Sequence, residues 1–316
     1  MQDDTAVPKP GAGSSPSAGV QVDLIALLVA APNGNPVVLT VNEGDALPSG
    51  PFEQSHRSLQ SGLRNWVEQQ TGHPVGYIEQ LYTFADRDRG SEEPKHRGIS
   101  ISYLGLSREE PSHRTPPGSW RNWYEFFPWE DHRLGAPQMI ADVVEPELRA
   151  WAASAEQQER RQNRRRRAAG AFGFDGRLWN EEMVLQRYEL LYEAGLVEEA
   201  VRATGATGVR TVPGRAMTGD HRRILATGIA RLRTKIKYRP VVFELMPPAF
   251  TLLQLQRAVE ALAGVTVHKQ NFRRLIEQQD LVEETGQMSS DTGGRPAKLF
   301  RFRHAVLDER PVAGTK

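Results

Sequence analysis

Six of the seven residues from His268 to Arg274 carry groups suited to nucleic acid. They are His268, Lys269, Gln270, Asn271, Arg273 and Arg274, interrupted only by Phe272. A guanidinium pairs bidentately with guanine, an Asn or Gln amide pairs with adenine, and Lys meets phosphate as a point charge. A second set has a different chemistry. "QLYTFADRDRG" and "KHRGISISY" bring Gln80, Tyr82, Phe84, Arg87, Arg89 and Arg97 to the ends of two strands and the loop between them. Arginines grip phosphates and aromatic rings stack on adenine, so this set suits a bound nucleotide.

The elements around the first set give it a platform. Thr251 and Gln254 form a capping box, and Leu252, Leu255, Val259 and Leu262 line one face of the helix that follows. "AGVT" is a short glycine-containing turn, and a helix of about ten residues begins near His268. Helix, short turn, helix is the order of a helix-turn-helix. Phe272, Leu275 and Ile276 are expected to face inward, leaving the polar side chains outside. "LVEET", a glycine-rich tip and "GRPAKLFRF" then read as a β-hairpin wing, with Arg295 and Lys298 placed to meet the sugar-phosphate backbone. Thr251, at the start of the first helix, joins the expected DNA contacts. Charge alone does not argue for DNA: seven Lys/Arg against five Asp/Glu lie between 265 and 303. Position does, because four of those acids fall between 277 and 284, away from the helix start.

The N-terminal half has another pattern. Two β-rich runs, Val22–Ala31 and "PVVLTVNE", are joined by the turn "PNGN". A helix is expected over about 56–70, with Leu59, Leu63, Trp66 and Val67 on one stripe and Gly72 as its stop. "VGYIEQLYTF" and "GISISYLGLS" read as strands, which makes this part α+β. Residues 144–203 are helical in pattern, and another helix is expected from Asp220 to Tyr238, with Arg239-Pro240 as a boundary.

The whole chain has 316 residues, 40 Lys+Arg against 39 Asp+Glu, and no cysteine. That excludes disulfides, thiolate metal sites and cysteine nucleophiles, and it leaves any nucleic-acid contact to a local patch. No apolar run approaches the ~20 residues of a membrane span. Residues 1–19, mostly Pro, Gly, Ser and Ala, read as a disordered tail.

Around "RNWVEQQTGHPVGY" the frame of strand, helix, "TG" and strand resembles that of the Nudix hydrolases. Their box, G-x5-E-x7-R-E-U-x-E-E-x-G-U with U aliphatic, anchors here on Gly72. Pro51 then stands at the first Gly, Arg57 at the first Glu and Asn65 at the Arg. Trp66 takes the next Glu, Gln69 and Gln70 the paired Glu, and His73 the last aliphatic position, leaving only Gly72 and Val67 as matches. Magnesium needs anionic oxygens that neutral amides do not supply. Glu68 lies about 100° round the helix and is no substitute. The expectation is therefore a non-enzyme, with no catalytic and no metal-binding residue.

Nudix-like flanks followed by a winged helix resemble the Nudix-related transcriptional regulators of NAD metabolism, the NrtR family. "GDHRRILATGIARLRTKIKYRPVVFELMPPAFTL" and "NFRR" carry the likeness through the joining helix. The resemblance implies a Nudix-like α/β/α sandwich at 20–238, with a helical insertion at about 134–217 and a linker helix at about 220–238. A winged helix-turn-helix would occupy 239–310. It further implies a cytoplasmic, nucleoid-associated homodimer on double-stranded operator DNA, with no membrane partner and no cofactor. Its role would be to repress NAD-metabolism genes until ADP-ribose or a related nucleotide effector releases it. Two alternatives stay open: an ADP-ribose hydrolase with an accessory domain, and a sugar-responsive regulator of the same build. "RRQNRRRR" in the insertion offers a further grip on phosphate.

Overall fold

In the computed structural model, residues 20–85, 98–107, 118–238, 241–289 and 296–303 are described. A mixed sheet forms around β1 (Gln21–Ala30). Its partners are β2 (Val37–Thr40), β3 (Ser49–Pro51), β4 (Ile78–Phe84), β5 (Gly98–Leu106) and β6 (Ser119–Asn122). The order is β4-β5-β1-β2-β6, with β3 also on β1; β1 and β5 are parallel and the other pairs antiparallel. β1 is apolar from Leu24 to Ala30 because both of its faces are covered. Leu24, Ala26 and Leu28 pack with Leu63 and Val67 of α1 (Leu59–Thr71). Ile25, Leu27 and Val29 join the larger core on the opposite face.

α1 starts on the Ser58/Ser61 capping box and stops at Gly72 in the left-handed conformation. Across the sheet lies α6 (His221–Tyr238), where Gly228 lets the helix settle on Leu27; an added Cβ would collide with that side chain. The helical pattern of 144–203 becomes α2 (Glu145–Ala153), α3 (Gln158–Phe172), α4 (Val184–Glu193) and α5 (Glu198–Thr204). Val184, Tyr188, Leu191 and Leu196 enter the core shared with α6. Charged residues buried among these helices are held by polar partners. Arg222 of α6 reaches Glu199 of α5 at 3.2 Å, and Glu199 also accepts the Met217 amide at 2.9 Å. No helix among the described residues is long and apolar enough to cross a membrane.

The C-terminal part has α7 (Leu252–Ala263), α8 (Lys269–Gln278), β7 (Val282–Ser289) and β8 (Ala297–Phe302). Phe250 adds a bridge to Phe300 and stacks on Phe302 at 4.6 Å, tying the wing to the start of α7. Leu275 departs from the sequence expectation: it is 49% exposed, and only Phe272 and Ile276 of α8 are buried. A two-helix contact covers a narrow stripe, and Leu275 falls at its edge.

This part rests directly on the sheet domain. α7 packs on the Pro32–Gly34 turn that follows β1. The Tyr124 hydroxyl donates to Ala261 O at 2.7 Å, and His132 N–H donates to Gly264 O at 2.7 Å. Gly264 ends α7 at φ +74, and a Cβ there would collide with the Glu130 carbonyl and the Arg233 guanidinium. Gly264→Ala combines left-handed strain with overpacking, so a loss of about 2 kcal/mol is expected in urea unfolding. A change within about 0.5 kcal/mol would mean that the two parts are not in contact there.

Candidate nucleic-acid and effector sites

α8 presents the polar set as a continuous face. Helical spacing puts Gln270 and Arg274 opposite the buried Phe272 and Ile276, with Asn271 and Arg273 on either side. His268, Lys269, Gln270, Asn271, Arg273 and Arg274 are all exposed. Lys269, Arg273 and Arg274 make no ion pair among the described residues. The wing differs: Lys298 is held by Glu284 at 2.7 Å, Arg301 by Glu283 at 2.7 Å and Arg303 by Asp280 at 2.7 Å. Three of the acids clustered between 277 and 284 thus neutralise wing cations rather than those of α8. Thr251 is buried, and its hydroxyl accepts the Gln254 amide at 3.2 Å. It caps α7 in this arrangement. Arg295 lies outside the described residues.

The face around α1 explains two of the departures from the hydrolase box. Gln70 Oε1 accepts the Ser49 amide at 3.0 Å while its Nε2 donates to Ser49 O at 2.7 Å. A carboxylate at that position could accept but not donate, so the amide does what glutamate could not. Trp66 lies over Gly50 and donates its indole N–H to Pro51 O at 3.0 Å. Together they fasten α1 to β3 where the box would place two of its glutamates. Arg57, Asn65 and Gln69 are exposed. Among the described residues no three His, Asp or Glu side chains gather into a group able to hold a metal ion.

The expected nucleotide set divides. Register shifts between Gln80 and Tyr82 in β4, so the strand does not alternate faces simply. Gln80 bonds Thr83 at 3.2 Å. Phe84 is buried in the core below α6, with the Arg223 guanidinium 5.0 Å above its ring. Tyr82 lies against Phe84, ring centroids 4.9 Å apart, and is 56% exposed on the same side. Arg87, Arg89 and Arg97 lie outside the described residues.

Sequence reasoning missed a buried ionic centre between the two parts. Glu130, 1% exposed, takes Arg187 of α4 through both carboxylate oxygens, at 2.6 and 2.8 Å, and Arg233 of α6 at 2.6 Å. Arg187 also donates to Ala171 O and Asn180 O, each at 2.9 Å. Arg233 continues to Glu181 O and Leu262 O at 3.0 Å each. Burial pushes the Glu130 pKa up, but the two guanidiniums outweigh it and hold it below the ordinary carboxylate value. The available signal was an acid set in the aromatic run "FFPWED".

These features define a two-part protein, a Nudix-like sandwich carrying a winged helix. A model of the NrtR DNA-binding winged helix domain matches residues 242–302. A curated Acinetobacter baylyi protein, described as an ADPR responsive transcriptional repressor NtrR, is 43% identical over 83 residues. That match covers 26% of this chain and about a third (33%) of the relative's length. Shewanella oneidensis NrtR complexed with a 27mer DNA aligns over 91% of this chain and 95% of its own, with TM-score 0.51 and 18% identity. A MutT/nudix family protein from Enterococcus faecalis aligns over 95% and 90%, with TM-score 0.52 and 14% identity. Residues 242–302 thus match the NrtR winged helix domain, and the fold of the whole chain is similar to that of Shewanella NrtR.

Proposed function

We propose that this chain is a transcriptional repressor of NAD-metabolism genes. It binds double-stranded operator DNA as a homodimer and lets go when a nucleotide such as ADP-ribose occupies its Nudix-like domain. The observation that carries this reading is the exposed face of α8, whose cations make no ion pair among the described residues while those of the described wing are paired. The name of the Acinetobacter relative, which covers an ADPR response and repression, supports the effector and the sign of regulation. Two α8 helices from a dimer would enter successive major grooves one DNA turn apart. Gln70 and Trp66, committed to β3, support binding without hydrolysis, and operator binding would place the protein at the nucleoid in the cytoplasm.

Fluorescence anisotropy with duplexes selected from a random pool tests the reading. Arg274→Ala should weaken the selected site by about 1–3 kcal/mol, roughly 5- to 150-fold. Lys298→Ala should cost less, because Glu284 already compensates that charge. ADP-ribose should release the duplex. Equal losses in both variants, or magnesium-dependent cleavage of ADP-ribose at ordinary enzymatic rates, would overturn the proposal.

A further inference from the structure

The arginine run of α3 has no part in the reading above. Of the fifteen residues in this helix six are arginines, Arg160, Arg161, Arg164, Arg165, Arg166 and Arg167, against one acid, Glu159. The chain as a whole carries a net charge of only +1, so the charge is concentrated locally. α3 divides in two. Its C-terminal end is anchored, with Ala168, Ala169, Ala171 and Phe172 buried in the larger core. Before that, every residue from 156 to 167 is exposed except Arg164, which lies half-buried with its guanidinium 4.3 Å from the Trp151 ring. The first turns therefore stand out from the body with arginines on all sides. Arg161 donates to Ala155 O, Arg164 donates to Trp151 O, and Arg167 pairs with Glu193. Arg160, Arg165 and Arg166 make no ion pair among the described residues.

The stability of the helix suffers from this composition. Arg160 and Arg164, and Arg161 and Arg165, stand one turn apart, where like charges repel. Arg160 and Arg161 also fall in the first turn, where the helix dipole disfavours cations. A ligand with negative charge along both flanks of the helix offsets both costs. Residues 156–167 include no apolar side chain, so the run has no face to sink into a lipid interface. A duplex fits better: phosphates border a groove on both sides, and Gln162 and Asn163 add amide donors toward them.

The fold roots this helix beside the DNA reader. Phe172, at the end of α3, lies against Trp179 with ring centroids 6.4 Å apart, and Trp179 stacks on His132 at 3.8 Å. The His132 N–H donates to Gly264 O, where α7 turns toward α8. Arg165 precedes Phe172 by about 10 Å along the helix axis. A duplex held by α8 is thus tethered near α3, which raises the effective concentration of its flanking phosphates there.

We propose that α3 is a second DNA contact, a sequence-independent clamp on the phosphate backbone that flanks the half-site read by α8. The proposal rests on the DNA-binding reading above and adds a surface in the helical insertion, outside the winged helix.

Fluorescence anisotropy on the full chain tests it with the combined variant Arg160→Gln, Arg165→Gln, Arg166→Gln. Glutamine keeps the helix propensity while removing three charges. Three duplexes are needed: the selected site with short flanks, the same site lengthened by about one helical turn on each side, and the long duplex with a scrambled core. Wild type should bind the long selected duplex at least tenfold tighter than the short one, and the variant should lose that gain. On the long duplex the variant's log–log salt slope should be shallower by about 2–3 per bound protomer, from three fewer counterions released. The ratio of selected to scrambled affinity should not change, since phosphates carry no sequence information. Urea unfolding should find the variant at least as stable as wild type, because repelling charges have been removed. Wild-type slope and flank dependence in the variant would overturn the clamp and leave the DNA-binding reading standing. A loss of stability would likewise overturn it, by assigning the arginines to packing. Failure of wild type to prefer the selected core over the scrambled one would overturn both.

Discussion

Glu130→Gln is expected to lower the stability of the chain by about 3–5 kcal/mol at pH 7, the cost of leaving buried charge unpaired. Glu130, Arg187 and Arg233 are all at most 2% exposed, and the two arginines already give this centre an excess positive charge. Removing the carboxylate leaves two guanidiniums facing one another without water. Charge, not packing, should dominate the loss, since glutamine nearly preserves the shape. Combining Glu130→Leu with Arg187→Met and Arg233→Met should therefore recover most of the stability, as apolar replacement of a complete buried network often does. The triple variant should still bind operator differently from wild type, because Arg233 no longer reaches Leu262 O at the end of α7. Urea unfolding of wild type, single and triple variants separates these terms. A single-variant loss below about 1 kcal/mol would mean that water reaches the site.

The parts of the fold legible in sequence are those that local chemistry dictates. The capping box at Thr251, the left-handed stop at Gly72 and the apolar β1 all follow from neighbours within a few positions. The polar face of α8 was legible for the same reason. What escaped is long-range. Glu130 meets Arg187 and Arg233 across 57 and 103 positions, and a charged residue in a charged chain reads as surface until its partners are known. The pairing of Lys298 with Glu284 across the wing likewise needs the strand register. Tyr82 and Phe84 were assigned to one nucleotide pocket, but register irregularity in β4 and the packing of α6 leave Phe84 in the core and Tyr82 at a cleft edge. Leu275, apolar and one position before a buried residue, looked like core and is half outside.

A related long-range contact makes stability depend on acid. His221, the first residue of α6, is half-buried, and its Nδ1 accepts the Leu47 amide at 2.9 Å. Burial pushes its pKa down to about 4. Accepting that bond requires neutral imidazole, so protonation would both bury a charge and orphan the Leu47 N–H. The unfolded chain returns this group to its ordinary value near 6.5. Between those values the unfolded state binds a proton that the folded state does not, and stability rises with pH. The contribution is complete above about pH 6.5 and is lost as pH falls toward 4. At about 1.4 kcal/mol per unit the total loss is about 3 kcal/mol. It sets in above the range where carboxylates such as Glu130 titrate, so it should appear first as pH falls. Unfolding free energies measured in half-unit steps should slope upward between pH 4.5 and 6.5 in wild type. They should be markedly flatter in His221→Asn, whose side chain retains an oxygen to accept from Leu47 but does not titrate there. Parallel profiles in the two proteins would place the acid sensitivity elsewhere and would return His221 to solvent.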